Sequence, residues 1–327
     1  MTGDARPHVP VMLAEVIEAL APRAGAVYVD ATFGAGGYAV ALLEAARCRV
    51  VGIDRDPEAC RRAAATVDRY AGRLAVVHGR FGELPALAAT LGLRQVDGIA
   101  FDLGVSSPQL ETAERGFSFR SRGPLDMRMD PGEGATAADA VNHLPREELA
   151  DLLRRLGDER ASRRIAAAIV RARVTAPILD TWELAAIVRS VLPRAADGLD
   201  PATRTFQALR IWVNDELAEL GRGLIAAERL LAPGGRLVVV AFHSLEDRCV
   251  KNFLKLRSGA APRASRHRPD LADATSGPSF RLISKRAVRP SGREIAQNPR
   301  ARSARMRAAE RTPAPVWTPP TETRRAA

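Results

Sequence analysis

Three glycines and a later aspartate form the first group of residues whose spacing suggests chemistry. Gly34, Gly36 and Gly37 lie in "DATFGAGGYA", after an apolar run and before a helical pattern that starts near Tyr38. Glycine lets the backbone approach a ligand without a Cβ clash, and the start of the next helix attracts an anionic group. Asp54 follows Gly34 by 20 residues, where a carboxylate can accept hydrogen bonds from both ribose hydroxyls. The pattern predicts a site for an adenosine-containing cofactor.

The glycine pattern does not choose between two such cofactors. Gly34, Gly36 and Ala39 also satisfy a tolerant form of the dinucleotide-binding pattern. NAD and S-adenosylmethionine therefore both fit, and an NAD-dependent oxidoreductase is one interpretation of these residues.

A second group follows two later apolar runs. Asp102 ends the run "VDGIAFD" and precedes a polar, glycine-containing loop with Ser106 and Ser107, and His243 directly follows the run "GRLVVVAF". In open α/β sheets, ligands collect at the carboxyl edge of the strands. These side chains are therefore candidate catalytic residues. The alternatives are turn formation for the serines and a structural role for His243, since Ser244 to Asp247 fits a helix-start pattern.

Arginines are interspersed with aromatic residues in the segment that follows Ser106 and Ser107. "ERGFSFRSRGPLDMR" contains two phenylalanines, Phe117 and Phe119, and four arginines, Arg115, Arg120, Arg122 and Arg128. This composition suits contacts with RNA phosphates and bases. Core packing is the alternative for the two phenylalanines and for Trp212, a third aromatic residue that can stack on a base.

The net charge lies in the last part of the chain. The whole chain carries +11, and residues 257–327, with 16 Lys+Arg and 5 Asp+Glu, account for all of it. Cationic segments such as "RASRHRP" (263–269) favour a polyanionic partner, because neutralising phosphates releases counterions. Nucleic acid is the expected partner, a solvated arm is the alternative, and Arg300, Arg302, Arg305 and Arg307 are candidate phosphate contacts.

The elements that must position these residues follow from periodicity. Helical spacing of Leu13, Val16, Ile17 and Leu20 predicts a first helix. Five short apolar runs, spanning 27–31, 49–54, 73–78, 96–102 and 235–242, are predicted strands. Helical patterns between the early runs predict an α/β fold with a doubly wound parallel sheet. A strand-like run at 279–288 is expected to join the sheet.

A long insertion interrupts the strand pattern. Asp102 and Gly235 are separated by 132 residues, far more than a crossover needs. Apolar spacing in 145–173 and a capping pair at Asp180 and Glu183 predict an inserted helical subdomain for substrate recognition at 110–205. The cofactor domain then comprises 1–109 and 206–312, with one crossover helix resuming before the fifth strand and a flexible end at 313–327.

Composition limits the class of protein. No apolar run reaches the length of a membrane span, and the N-terminus lacks a signal-peptide pattern. The three cysteines are widely spaced, so neither a zinc site nor any other metal site is expected. The composition predicts a cytoplasmic protein of two domains, without a membrane partner.

Long motifs resemble one enzyme family. In chain order they are "HVPVML", "DATFGAGGY", "GIDRDP", "FDLGVSSPQL", "GFSFRSRGPLDMRMD", "TFQALRIWVNDEL", "FHSLEDRCVK" and "NPRARSARMR". Together they closely resemble the bacterial 16S ribosomal RNA (cytosine-N4)-methyltransferases, over nearly the whole chain.

The resemblance implies a class I methyltransferase with a Rossmann-like fold. The enzyme would use S-adenosylmethionine to methylate N4 of a cytosine in the decoding region of 16S rRNA, within the small ribosomal subunit. Family cofactor contacts fall on Gly36, Gly37, Tyr38, Asp54, Phe81, Asp102 and Gln109. Tyr38 stands where histidine is frequent, and no stacking aromatic follows Asp102, unlike in other amino-methyltransferases. A non-catalytic RNA-binding assembly factor is a further alternative, and the oligomeric state, monomer or homodimer, stays open.

Overall fold

The computed structural model describes residues 10–192, 198, 200–260 and 277–317. The chain divides into two compact units. We call them the sheet unit, Met1–Gly104 with Glu219–Ala327, and the helical unit, Val105–Ala218. The predicted basic stretch 263–269 and the end of the tail, 318–327, lie outside the described residues.

Seven strands lie in the part of the sheet unit that the structure describes. They are β1 (Val27–Asp30), β2 (Arg49–Asp54), β3 (Leu74–His78), β4 (Val96–Asp102), β5 (Leu231–Ala241), β6 (Phe280–Leu282) and β7 (Arg305–Arg311). Their order in the sheet is β3-β2-β1-β4-β5-β7-β6. The first five strands pair in parallel, and β7 is antiparallel to both of its neighbours. The Rossmann-like α/β class is confirmed, but the sheet is mixed, whereas the sequence predicted a parallel one.

Strand β7 is an element that the sequence analysis missed. Its buried residues include Met306, Ala308 and Ala309, but arginines at 305, 307 and 311 interrupt the apolar pattern. Met306 and Ala308 alternate with Arg305 and Arg307, because successive side chains of a strand point to opposite faces. The strand lies between β5 and β6, a position for which the classic dinucleotide-binding order 3-2-1-4-5-6 has no counterpart.

The described residues of the two units include fourteen α-helices. They are α1 (Leu13–Leu20), α2 (Gly37–Ala45), α3 (Pro57–Arg62), α4 (Ala64–Arg69), α5 (Leu84–Thr90), α6 (Ser107–Glu111), α7 (Ala137–His143), α8 (Arg146–Gly157), α9 (Ser162–Thr175), α10 (Thr181–Val191), α11 (Thr203–Asn214), α12 (Glu216–Leu230), α13 (Ser244–Arg257) and α14 (Gly292–Gln297). None of the described helices is long and apolar enough to cross a membrane.

The sheet unit buries two apolar clusters. One includes Val16 of α1 and Leu42 of α2, and the other includes Leu84 of α5 and Leu224 of α12. Two separate clusters built from strand and helix residues are what a doubly wound sheet requires, because helices then cover both of its faces.

The helical unit has its own core. Leu149 and Leu153 of α8 are fully buried with residues of α9, α10 and α11, on the helix face that the sequence predicted. Asp180 caps α10, since its Oδ1 accepts the Glu183 amide at 2.9 Å, which confirms the predicted helix start. The units divide at 104/105 and 218/219, against the predicted 109/110 and 205/206, because α11 packs on α8 in the helical unit.

The predicted crossover helix is broken in two. Asp215 separates α11 from α12 in the left-handed conformation, with φ 50°. Asn214 holds this break, because its Oδ1 accepts the Met129 amide at 2.8 Å and its Nδ2 donates to the Met127 carbonyl at 2.7 Å. Periodicity missed the break, since the apolar pattern continues across it and the hydrogen-bond partners lie 85 and 87 residues away in the chain.

Candidate active site at the carboxyl edge of the sheet

The glycine loop joins β1 to α2. Gly34 and Gly36 have φ values of 54° and 79°, in the left-handed region that favours glycine. The Gly34 amide donates a hydrogen bond to Asp54 Oδ2 at 2.7 Å, and Asp54 Oδ1 accepts the Asp56 amide at 2.8 Å. Asp54 therefore organises the loop in addition to its predicted contact with ribose. Each carboxylate oxygen keeps a second lone pair for a ligand.

The contacts of the Tyr38 side chain argue against a direct role in ligand binding. The residue is buried, and its hydroxyl donates to the Val11 carbonyl at 2.5 Å. A Cβ on the preceding residue, Gly37, would collide with the ring of Pro10. The ordered segment before α1 thus packs against the start of α2. A cofactor contact through the Tyr38 backbone stays a prediction.

Three buried carboxylates, Asp30, Asp102 and Glu219, have an oxygen without a hydrogen-bond partner among the described residues, and two of them end neighbouring strands. The oxygens of these two are Oδ2 of Asp30, at the end of β1, and Oδ1 of Asp102, at the end of β4. The strands are neighbours, with Asp30 in register with Ala100. Thr32 joins the two strand ends, since its Oγ1 accepts the Asp102 amide at 2.6 Å. A buried anionic oxygen without a partner is costly unless a ligand supplies one.

The titration of these carboxylates reflects their burial. Desolvation raises the pKa of Asp30 to about 7, despite hydrogen bonds from the Thr32 and Ala39 amides. Desolvation also raises the pKa of Asp102 well above its usual range, and the charges of Asp30 and Glu246 add to this effect. Burial raises the pKa of Asp54 too, although the Asp56 and Gly34 amides oppose it. A cation at this edge would favour ionisation of all three groups.

Phe81 lies in a short 3₁₀ helix that follows β3. Its ring packs edge-on against Phe101, with centroids 5.3 Å apart and an interplanar angle of 86°. Glu219, fully buried in α12, pairs with Arg55 after β2 at 3.0 Å. This pair holds the loop after Asp54 to a helix of the same unit. Phe81 therefore sits in a preorganised part of the sheet edge, and its predicted cofactor contact stays a prediction.

The helical unit contains three of the predicted site residues, Ser106, Ser107 and Gln109. Ser106 and Gln109 form a capping box at the start of α6, in which Gln109 Oε1 accepts the Ser106 amide at 3.0 Å. Ser107 and Gln109 are buried. This geometry gives Ser106 and Gln109 a structural role, and the predicted catalytic and cofactor roles of the three residues stay predictions.

His243 caps the helix that follows β5. Its Nδ1 accepts the Glu246 amide at 3.4 Å, and its Nε2 lies 3.1 Å from Glu246 Oε1. An accepting Nδ1 carries no proton, and Nε2 has no hydrogen-bond partner among the described residues. Helix α13 begins at Ser244, which confirms the predicted helix start, and His243 provides the capping atom. The catalytic role of His243 stays a prediction.

The predicted RNA-binding arginines of the helical unit have different environments. Arg115 donates to the Arg128 and Met129 carbonyls, Arg122 pairs with Asp180 at 2.8 Å, and Arg128 pairs with Asp126 at 2.7 Å. Arg120 is exposed. An RNA contact by these arginines stays a prediction, and Arg115 stabilises its own loop.

The three aromatic candidates for base stacking pack in the core of the helical unit. Phe117 is buried, and Phe119 lies edge-on against Phe206 with centroids 5.0 Å apart. Trp212 is half-buried against the same cluster. Core packing is therefore the role that the structure shows for all three.

The predicted RNA-binding arginines of the tail fall into two pairs. Arg305 and Arg307 lie in β7 and both pair with Asp247 of α13, at 3.1 Å and 2.7 Å. Arg300 and Arg302 lie in a 3₁₀ helix before that strand and are exposed. An RNA contact by all four stays a prediction, but the first two arginines also join a strand to a helix.

Asp30 is the site residue that the sequence analysis missed. A signal was present, because an aspartate ends the first predicted strand directly before the glycine loop. The cost of its burial, however, depends on strand pairing that no local pattern reveals.

The described edge fits S-adenosylmethionine better than a dinucleotide. S-adenosylmethionine carries an ammonium and a sulfonium, and the unpartnered oxygens of Asp30 and Asp102 offer anionic partners for a cation. The pyrophosphate of NAD would instead meet like charge wherever these buried groups ionise. Asp54 and Phe81 would serve the adenosine part.

The chain is similar to a known protein family and to several known proteins. The model of the MraW methylase family matches residues 5–312. A ribosomal RNA small subunit methyltransferase H from Paramagnetospirillum magneticum is 59% identical over 95% of this chain and 98% of its own length. Its namesake from Rhodospirillum centenum is 62% identical over 94% of this chain and 93% of its own length. A putative rRNA-methylase from Clostridium thermocellum aligns with a TM-score of 0.42 and 12% identity, over 93% of this chain and 99% of that one.

The family model spans both units and every motif from the glycine loop to β7. With relatives at this identity over nearly the full length of both chains, the protein belongs to the MraW methylase family.

Proposed function

We propose that this protein transfers a methyl group from S-adenosylmethionine to N4 of a cytosine in 16S rRNA, within the small ribosomal subunit in the cytoplasm. The curated relatives are small-subunit rRNA methyltransferases by name. The observation that carries the proposal is the pair of buried carboxylates, Asp30 and Asp102, beside the glycine loop. They suit a cationic methyl donor.

The chemistry requires alignment and proton acceptance. S-adenosylmethionine supplies an electrophilic methyl group on its sulfonium when it is bound. The N4 lone pair of cytosine is delocalised into the ring, so an oxygen that accepts an amino proton helps the nitrogen become pyramidal. Asp102 holds such an oxygen at the sheet edge, and a carbonyl of residues 103–105, Ser106 and Ser107 are further candidates.

The target base must leave the RNA stack to reach a site of this kind. Arg120 and Arg122, exposed in the helical unit, and Arg300 and Arg302, exposed in the tail, are suited to hold the RNA backbone. The helical unit would then recognise the substrate, and the sheet unit would bind the cofactor.

The decisive experiment maps N4-methylcytosine in 16S rRNA from cells lacking this protein. We expect one modification to disappear and to return with the wild-type gene. Asp102→Asn should restore it poorly, because the amide cannot provide an anionic acceptor. An unchanged modification pattern in the deletion strain would contradict the proposal.

Binding and turnover distinguish the two alternatives. Calorimetry should show affinity for S-adenosylhomocysteine in the micromolar range and none for NAD, which excludes an oxidoreductase. Purified protein should also transfer labelled methyl groups to small subunits from the deletion strain. Failure of this transfer would favour the non-catalytic assembly factor.

A further inference from the structure

The turn that joins α8 to α9 carries a cluster of arginines to which the sequence analysis gave no role. Residues 154–164, "RRLGDERASRR", contain five arginines and two acids. Arg154, Arg160 and Arg163 are exposed, and none of the three has an ion-pair partner within the part of the chain that the structure describes. They differ in this from neighbouring Arg155, which pairs with Asp151 at 3.1 Å.

The acids of this turn balance only part of the exposed charge. Glu159 is buried, and its Oε1 accepts the Ala161 amide at 2.8 Å. Asp158 remains at the surface, in the left-handed conformation that ends α8. The surface of the turn is therefore strongly cationic.

Helix stability does not explain the positions of these arginines. Arg163 is the second residue of α9, and no acid lies in the first turn of that helix. Arg204 is likewise the second residue of α11, whose first turn also lacks an acid. Cations at helix N-termini oppose the helix dipole, so both arginines lower the stability of their helices slightly.

Close packing brings the start of α11 to the same turn. Gly157 ends α8, and a Cβ on it would lie 2.6 Å from the Arg204 carbonyl oxygen. Only a glycine allows the two helices to approach this closely. Arginines from the end of α8, the start of α9 and the start of α11 therefore converge. We call Arg154, Arg160, Arg163 and Arg204 the basic corner.

We propose that the basic corner binds the phosphate backbone of the rRNA substrate. The inference rests on the proposed function, since it concerns how that substrate is held. Guanidinium groups bind phosphate oxygens through two parallel hydrogen bonds, and each phosphate contact releases counterions. Arginines without ion-pair partners need not break an ion pair before they bind RNA.

The test removes the charges of three of the four arginines of the basic corner and measures RNA binding. Arg154/Arg160/Arg163→Gln keeps polar, helix-compatible side chains at all three positions. The control, Arg23/Arg62/Arg69→Gln, removes three exposed arginines that pair with Asp97, Glu58 and Glu44 in the sheet unit. Affinity for protein-free 16S rRNA is measured from about 50 to 200 mM salt, the range over which phosphate contacts change affinity strongly.

We expect the first variant to bind RNA at least about tenfold more weakly and to flatten the salt dependence by up to about 0.9 per lost contact on a logarithmic plot. The KM for RNA should rise, while kcat and the affinity for S-adenosylhomocysteine stay unchanged. Arg154/Arg160/Arg163→Lys should restore the salt slope, because lysine keeps the charge.

Two outcomes would overturn the basic corner, and a third would overturn the proposed function. A salt slope equal to that of the control variant would overturn the basic corner. Weaker binding to assembled small subunits, with unchanged binding to protein-free RNA, would also overturn it and indicate a protein partner. If the wild-type protein transfers no methyl group to 16S rRNA, the proposed function itself fails.

Discussion

At the scale of single residues, carboxylates at strand ends carry most of the inferred chemistry. Asp54, Asp30 and Asp102 end β2, β1 and β4, where side chains meet at one edge of the sheet. Their environments differ, because both oxygens of Asp54 accept backbone amides, whereas Asp30 and Asp102 each keep one unpartnered oxygen. Asp54 therefore holds the glycine loop in place, and Asp30 and Asp102 each have an oxygen that can bind a cation.

Replacing Asp54 tests its role in cofactor binding. Asp54→Ala should weaken S-adenosylhomocysteine binding by about 1–3 kcal/mol, because it leaves the Gly34 amide and the ribose hydroxyls without an acceptor. Calorimetry gives the affinity. Asp97→Ala, at the opposite end of the sheet, should leave it unchanged. Equal affinities for both variants would refute the ribose assignment.

The titration of Asp30 should make both stability and cofactor binding depend on pH. The folded protein keeps this proton up to about pH 7, whereas an ordinary aspartate loses it near pH 4. Unfolding therefore releases a proton between these values, and stability should fall as pH rises across them, by at most about 4 kcal/mol. Chemical denaturation from pH 4 to 8 should show a smaller decline for Asp30→Asn.

Binding of a cationic cofactor should reverse this penalty. Because a nearby cation favours the ionised carboxylate, binding should release protons near pH 7 and strengthen as pH rises. Calorimetry in buffers of different ionisation enthalpy measures this release. Proton release that is the same in the wild type and in Asp30→Asn would show that another group titrates.

At the scale of elements, β7 links the cationic tail to the sheet. Arg305 and Arg307 extend from this strand to Asp247 on α13. Burial would raise the pKa of Asp247, but the hydrogen bonds from Arg307 and Arg305 outweigh it and lower that pKa. Part of the tail charge thus stabilises the fold, and only part of it is available to RNA.

Substitutions of the two arginine pairs should therefore have different effects on stability and on RNA binding. Arg305→Ala with Arg307→Ala should lower the free energy of unfolding by about 1–3 kcal/mol, since Asp247 loses hydrogen bonds from charged donors. Arg300→Ala with Arg302→Ala should lower stability less than the first double variant and flatten the salt dependence of RNA binding by up to about 0.9 per lost contact. Denaturation and RNA titrations on both double variants decide this. Unchanged RNA binding in the second variant would make those two arginines a solvated face.

At the scale of the whole molecule, the chain returns to the sheet unit after the helical unit and adds β5, β6 and β7 to the sheet. Contacts continue past β7. The Trp317 amide donates to Glu228 Oε1 at 2.9 Å, and its ring lies 4.9 Å from the Arg257 guanidinium. Residues 313–317 therefore pack on the sheet unit, although the sequence predicted a flexible end from 313 onward.

Truncations test the contacts of the C-terminal residues. Compared with removal of residues 318–327, removal of 313–327 should lower the melting temperature by several degrees, since buried Glu228 loses a hydrogen-bond donor. Removal of 257–327 should prevent folding, because it deletes two strands and exposes the edge of β5. Equal melting temperatures for the two shorter truncations would contradict a structural role for Trp317.

Local patterns in the sequence were enough for the early strands, the glycine loop and two of the three site carboxylates. β2 and β4 have the predicted bounds, because continuous apolar runs between polar turns leave little choice of element. Asp54 and Asp102 follow those runs, so their place at the carboxyl edge could be predicted. The family motifs are also contiguous, and they indicated the activity without a structure.

Tertiary structure decided whatever depends on partners distant in the chain. The unpartnered oxygen of Asp30, the break at Asp215 and the insertion of β7 between β5 and β6 all follow from contacts across many tens of residues. The arginines show the same limit, since composition is identical for a guanidinium that pairs with Asp247 and for one that faces solvent in the basic corner. Burial and pairing are properties of the folded chain, and no local window of sequence contains them.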